Sequence, residues 1–109
     1  MFSIGLSMIL RPGKYDNYKK AHDNLWQELA EGMRAQNISM SIYRFKDRLF
    51  LHAVAPTEAD WLKSREDPYL AEWSEFMSSF LETDAKGDIK FEELPEAFAF
   101  GLFTADEYV

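Results

Sequence analysis

Ile38-Ser39-Met40-Ser41-Ile42-Tyr43-Arg44-Phe45, then Lys46-Asp47-Arg48, then Leu49-Phe50-Leu51-His52-Ala53-Val54, is the most local pairing the chain offers. In the first run Ile38, Met40, Ile42 and Arg44 alternate with Ser39, Ser41, Tyr43 and Phe45. That is the period of a strand with two unlike faces. The charged triplet reads as a hairpin turn, so 38–45 and 49–54 predict an antiparallel pair.

Upstream, Tyr15, Tyr18, His22, Leu25, Trp26, Leu29 and Met33 recur at three- and four-residue spacing, which predicts one long helix over 14–36 with a single buried stripe. Before it, bulky Phe2, Ile4, Leu6, Met8 and Leu10 alternate with small Ser3, Gly5 and Ser7. This predicts a strand with one face in the core and the other leaving room for a ligand or a second sheet. Arg11-Pro12-Gly13 turns the chain between the two.

Downstream, Thr57 followed three residues later by Asp60 predicts a capped short helix through Trp61 and Leu62. Asp67-Pro68 predicts a second start, with Asp at the cap and Pro at the first helical position. Tyr69, Trp73, Phe76, Met77 and Phe80 form its apolar stripe. A polar loop at 82–90 leads to a last extended segment, expected to be irregular at 92–95 because of Pro95 and a true strand over 97–103. The tail at 104–109 is expected to be loose or to lie on a partner.

Strand, helix, two-stranded hairpin, helix, strand is the split βαβ order of the α+β ferredoxin-like sandwich, an antiparallel sheet with helices on one face. Tyr43, Phe45 and Phe103 on the other face predict that a second copy covers it, giving a homodimer of the dimeric α/β-barrel type. Residues 1–109 read as one domain. A chain with 47% hydrophobic residues and 16% aromatics builds a packed core. Nineteen acidic against 12 basic residues give a net charge of −7, which argues against nucleic acid and anionic membranes as partners. The absence of cysteine rules out disulfides, thiolate nucleophiles and thiolate-bound zinc, and fits a cytoplasmic protein. Residues 1–10 do not read as a signal peptide, and no apolar run reaches membrane-spanning length.

On the first helix, Tyr18, His22, Trp26 and Leu29 share one stripe, so a titratable imidazole sits in an aromatic and apolar surface. Two readings stay open: a core histidine, or a proton shuttle whose charge changes near neutral pH. His52, on the hairpin's second strand, reads as structural or as a sheet-face contact. The two histidines lie too far apart in sequence for metal-ligand spacing, so no metal is expected. The stretch 83–94 superficially resembles a calcium loop, but Lys86, Ile89 and Pro95 fall where ligands and the glycine belong. No glycine-rich phosphate loop or serine nucleophile elbow is present.

The pattern Tyr-x-x-x-His-x-x-Ile/Leu-Trp-Pro-Glu-Leu is matched by Tyr18, His22, Leu25, Trp26, Glu28 and Leu29, with Gln27 in place of the proline. On this motif, and on Met8, Ser41-Ile42-Tyr43, Leu49-Phe50, the helix carrying Trp73 and Met77, and Glu93-Leu94-Pro95-Glu96-Ala97-Phe98, the chain resembles the L-rhamnose mutarotases over nearly its whole length. The resemblance implies an enzyme that interconverts the α and β anomers of a 6-deoxyhexose without cofactor or metal. It implies His22 as the catalytic acid, Tyr18 as a sugar contact and Trp73 as a pocket wall. Trp26, on the same motif, is a further candidate contact. The family's second tryptophan is replaced here by Ser74, and a sugar-contacting tyrosine by Met40, which opens the choice of sugar to L-fucose or another deoxyhexose. A cofactor-independent monooxygenase on the same fold, or a sugar-binding module without catalysis, is the rival reading.

Overall fold

The computed structural model describes residues 1–104. The elements are β1 (Phe2–Ile9), α1 (Tyr15–Asp23), α2 (Gln27–Ala35), β2 (Ser39–Phe45), β3 (Arg48–Ala55), α3 (Glu58–Ser64), α4 (Pro68–Met77) and β4 (Glu92–Leu94), then a 3-10 turn at Gly101–Phe103. The strands form one sheet in the order β2-β3-β1-β4, with every neighbouring pair antiparallel. This is the ferredoxin-like arrangement, in which β3 of the hairpin inserts beside β1.

Register sets which side chains meet. Met8 lies opposite Leu49, Leu6 opposite Leu51 and Ile4 opposite Ala53, while β2 adds Met40 opposite Ala53 and Ile42 opposite Leu51. Paired residues share a face, so these positions make the surface on which the helices pack. Leu49, Leu51, Ala53 and Ala55 are buried, while the alternate Arg48, Phe50, His52 and Val54 are only partly covered. Tyr18, Leu29, Trp61, Trp73 and Met77 close the core from the helical side.

The helix caps form as their residues predict. Thr57 Oγ1 accepts from the Asp60 amide at 3.1 Å, and the Asp67 carboxylate accepts from the Tyr69 amide at 2.9 Å with Pro68 at the first helical position. Each such cap contributes about 1 kcal/mol by satisfying an amide that the helix itself leaves unpaired.

Two expectations are corrected. The helix expected over 14–36 is two helices, α1 and α2, separated at Asn24-Leu25-Trp26. Asn24 spends its amide on the Lys20 carbonyl at 2.9 Å, and Trp26 turns to ψ 132° as the cap before Gln27. Gln27 therefore holds the first helical position of α2, the place where proline is favoured, and this is where the motif above carries its proline. The break brings α2 against α4: a Cβ on Gly32 would fall 2.1 Å from the Asp67 carboxylate.

The closing strand is also misplaced by the sequence reading. The ladder uses Glu92–Leu94, paired with Gly5, Leu6 and Ser7, and ends at Pro95, which has no N–H to give. Residues 97–103 contain no strand. The small face of β1 is put to use within the sheet: Leu94 packs over Gly5, Ser7 accepts from Arg48 at 3.1 Å, and Ser3 bonds His52 Nε2 at 2.7 Å. Phe103 lies on the His52 ring, 5.0 Å between centroids. The tail expectation beyond Thr104 falls outside the described residues.

Candidate active site

Between the helices and the inner face of the sheet lies a cavity of about 450 Å³. Its sheet wall is mostly apolar, with Leu6, Met8, Met40, Ile42 and Leu51, and carries Arg44 of β2. Its helical wall carries polar atoms from Tyr18, His22, Arg65 and Ser74. Apolar enclosure with a few convergent polar groups is the usual form of a small-molecule site.

His22 is half-buried near the end of α1. Its Nδ1 lies 3.0 Å from the Tyr18 carbonyl oxygen. A carbonyl only accepts, so Nδ1 carries the hydrogen and the neutral ring keeps its lone pair on Nε2. Nε2 has no hydrogen-bond partner among the described residues and is not a sealed, unsatisfied atom. Burial lowers the imidazole's pKa from the ordinary histidine value, and the hydrogen bond to the Tyr18 carbonyl offsets this in part. His22 is therefore neutral at pH 7, with Nε2 ready to accept a proton.

Tyr18 stacks at a tilt on the imidazole, 4.2 Å between centroids, and is 5% exposed. Its hydroxyl has no partner among the described residues yet is not sealed from solvent, so it opens on the cavity that Tyr18 lines. Burial raises the phenol's pKa far above its ordinary value. Tyr18 thus remains a protonated hydrogen-bond donor at neutral pH.

Trp73 meets the edge of His22 at 5.2 Å and 79°. Asp67 and Pro68 start α4, and Trp73 lies on the same side of that helix as Met77, one turn further into the core. Met40 and Ser74 also line the cavity. Trp26 does not. The break after α1 swings it behind Trp73, with its edge 5.0 Å away and its plane stacked on Phe76 at 6.0 Å and 2°. It is a buttress for the pocket wall rather than part of the lining.

The sequence reading did not single out Arg65 or Trp61. Arg65 caps the C-terminus of α3 and lays its guanidinium over the Trp61 ring, 5.0 Å from the centroid. It sits among the charged residues Lys63, Glu66 and Asp67, where nothing local marks one side chain as turned inward.

Asp84 of the calcium-like stretch accepts the backbone amides of Lys86 and Asp88, at 2.8 and 3.1 Å. Among the described residues no three or more His, Asp or Glu side chains converge as a metal site.

Comparison with known proteins bears on this geometry. The sequence profile of the L-rhamnose mutarotase family matches residues 3–100. An L-rhamnose mutarotase from Burkholderia cenocepacia is 34% identical over 90 residues, covering 80% of this chain and 86% of that protein. One from Listeria monocytogenes is 29% identical, covering 90% and 97%. In structure, L-rhamnose mutarotase from Formosa agariphila superposes with a TM-score of 0.78 at 21% identity, over 93% of this chain and all of that one. A putative antibiotic biosynthesis monooxygenase from Nitrosomonas europaea superposes with a TM-score of 0.63 at 13% identity, over 90% and 100%, a likeness of fold alone.

Proposed function

From the premise that this chain belongs to the L-rhamnose mutarotase family, an isomerase family, we propose how its own residues interconvert the α and β anomers of L-rhamnose. The observation that carries the proposal is the arrangement at His22: Nδ1 engaged by the Tyr18 carbonyl, Nε2 unpartnered at a cavity shared with the Tyr18 hydroxyl and Trp73.

Mutarotation breaks the bond between the anomeric carbon and the ring oxygen. The anomeric hydroxyl gives up a proton and becomes the aldehyde oxygen, while the ring oxygen gains one. Neutral His22 accepts the first proton at Nε2, and the imidazolium so formed returns it to the ring oxygen. Rotation about the bond next to the aldehyde presents its other face, and the same transfers in reverse close the ring to the other anomer. His22 thus serves first as base and then as the acid that the resemblance implies. A proton carrier of this kind accelerates such a step about a hundredfold to ten-thousandfold.

Tyr18 donates a hydrogen bond to a sugar oxygen, and Trp73 offers its ring to the apolar C–H side of the sugar. No covalent intermediate and no oxidant enters the scheme. Saturation transfer between anomeric proton signals under argon tests it. Enzyme-dependent exchange without oxygen supports the scheme, whereas exchange no faster than buffer tells against it and leaves the monooxygenase reading to be tested.

The same reading includes a homodimer closed across the outer sheet face and a cytoplasmic location. Tyr43 and Phe45 support the first, being 69% and 66% exposed on that face, and the absence of cysteine suits the second. Light scattering on Tyr43→Glu tests the dimer: the variant is expected as a monomer, and an unchanged mass contradicts it.

A further inference from the structure

Four charged side chains line the cavity: Lys19, Asp23, Arg44 and Arg65. Lys19 and Asp23 form an ion pair with each other. Arg44 covers the Tyr15 ring at 3.9 Å and donates to the Lys46 carbonyl at 2.7 Å. Arg65 is different. Its guanidinium lies over buried Trp61, and among the described residues no hydrogen bond or ion pair reaches its side chain. Burial lowers the pKa of this group from its ordinary value, as expected for a cation drawn away from water without a compensating anion.

An electropositive cavity stands out in a chain whose net charge is −7. Met40 and Ser74 line the same cavity without adding charge or a large ring. A guanidinium is a planar fork of donors whose spacing matches the two oxygens of a carboxylate.

We propose that Arg65 is a substrate-binding residue for an acidic aldose, a hexuronate whose C6 carboxylate it holds while His22 acts at the anomeric centre. This rests on the mutarotase reading above, since the chemistry is the same ring opening and closing. Atoms and electrons balance as before: the carboxylate is bound, not transformed, and no co-reactant is consumed. The acidic substrate enters beside L-rhamnose, from which it differs in having a carboxylate where rhamnose has a methyl group.

The test compares L-mannuronate with L-rhamnose, sugars matched except at C6, by saturation transfer on the same sample of intact protein. The expected ratio of exchange efficiencies, uronate over rhamnose, is about tenfold or more, as suits a charge-assisted pair. Arg65→Met is expected to bring that ratio to one or below, and Arg65→Lys to keep part of it. Because the ratio is taken within one sample, a partly folded variant does not distort it. A ratio near one in the intact protein, or one that Arg65→Met leaves unchanged, overturns the inference while the mutarotase reading stands. Exchange of neither sugar overturns both.

Discussion

Replacing Tyr18 with phenylalanine removes one oxygen from a ring that is otherwise core. The ring is 5% exposed and packs on His22 at 4.2 Å, and phenylalanine keeps that packing. No protein group among the described residues bonds the hydroxyl, so its removal leaves no partner stranded. Stability should therefore change by less than about 1 kcal/mol, which for a domain near this size is a melting shift of no more than roughly 4–8 °C. Catalysis loses one neutral hydrogen bond to the sugar, about 0.5–1.5 kcal/mol, or roughly twofold to twelvefold in kcat/KM. If Tyr18 were instead the general base, the loss would be about a hundredfold to ten-thousandfold. The two sizes do not overlap. Saturation-transfer rates for L-rhamnose, with a thermal melt of the same samples, distinguish them. A hundredfold loss with an unchanged melt would refute the donor assignment, and a collapse of the melt would show the hydroxyl to be structural.

The lowered pKa of His22 predicts that catalysed exchange is level across neutral pH and declines only on the acid side of the ordinary histidine range, as Nε2 becomes protonated and ceases to accept. Folding stability follows with the same sign: as pH falls from 6.5 toward the lowered folded value, the unfolded chain binds the proton first and stability drops. A rate that rises on the acid side contradicts both the assigned form and the direction of the shift. Ser74→Trp, at the cavity wall beside Trp73, adds a second stacking surface and is expected to lower the KM for L-rhamnose by roughly twofold to tenfold, the worth of an aromatic contact. An unchanged or raised KM would mean that Ser74 does not face the bound sugar.

The sheet was legible because its alternation is strict where one face is deeply buried. Leu49, Leu51, Ala53 and Ala55 mark the core side of β3 one residue at a time, and Met8 and Leu10 continue it. The starts of α3 and α4 were legible because Thr57 and Asp67 cap through local chemistry that needs no tertiary information. The break between α1 and α2 was hidden for the opposite reason. Leu25, Trp26, Leu29 and Met33 continue the helical period across it, and glutamine at position 27 gives no stop signal. At the other end, Ala97-Phe98-Ala99-Phe100 alternates as a strand should, yet Phe98 is 82% exposed and the hydrogen-bonding edge of β1 is taken by the more polar Glu92–Leu94.

The site divides in the same way. Tyr18 and His22, one turn apart on α1, were placed together by spacing alone, and the ring of His22 closes on the carbonyl four residues before it. Trp73 joins them only through tertiary packing, and the resemblance to the family supplied that connection. Trp26 leaves the His22 stripe because the chain breaks between α1 and α2, and packs on Trp73 and Phe76 instead. Arg65 left no mark in the sequence, since whether a cation at a helix end faces water or a cavity depends on what packs beside it.

The most direct measurement is saturation transfer between the anomeric protons of L-rhamnose with intact protein and with His22→Ala, each checked for folding by circular dichroism. The account predicts rapid exchange in the first and a loss of about a hundredfold or more in the second, at unchanged fold. A folded His22→Ala variant that exchanges the anomers as fast as the intact protein would contradict it.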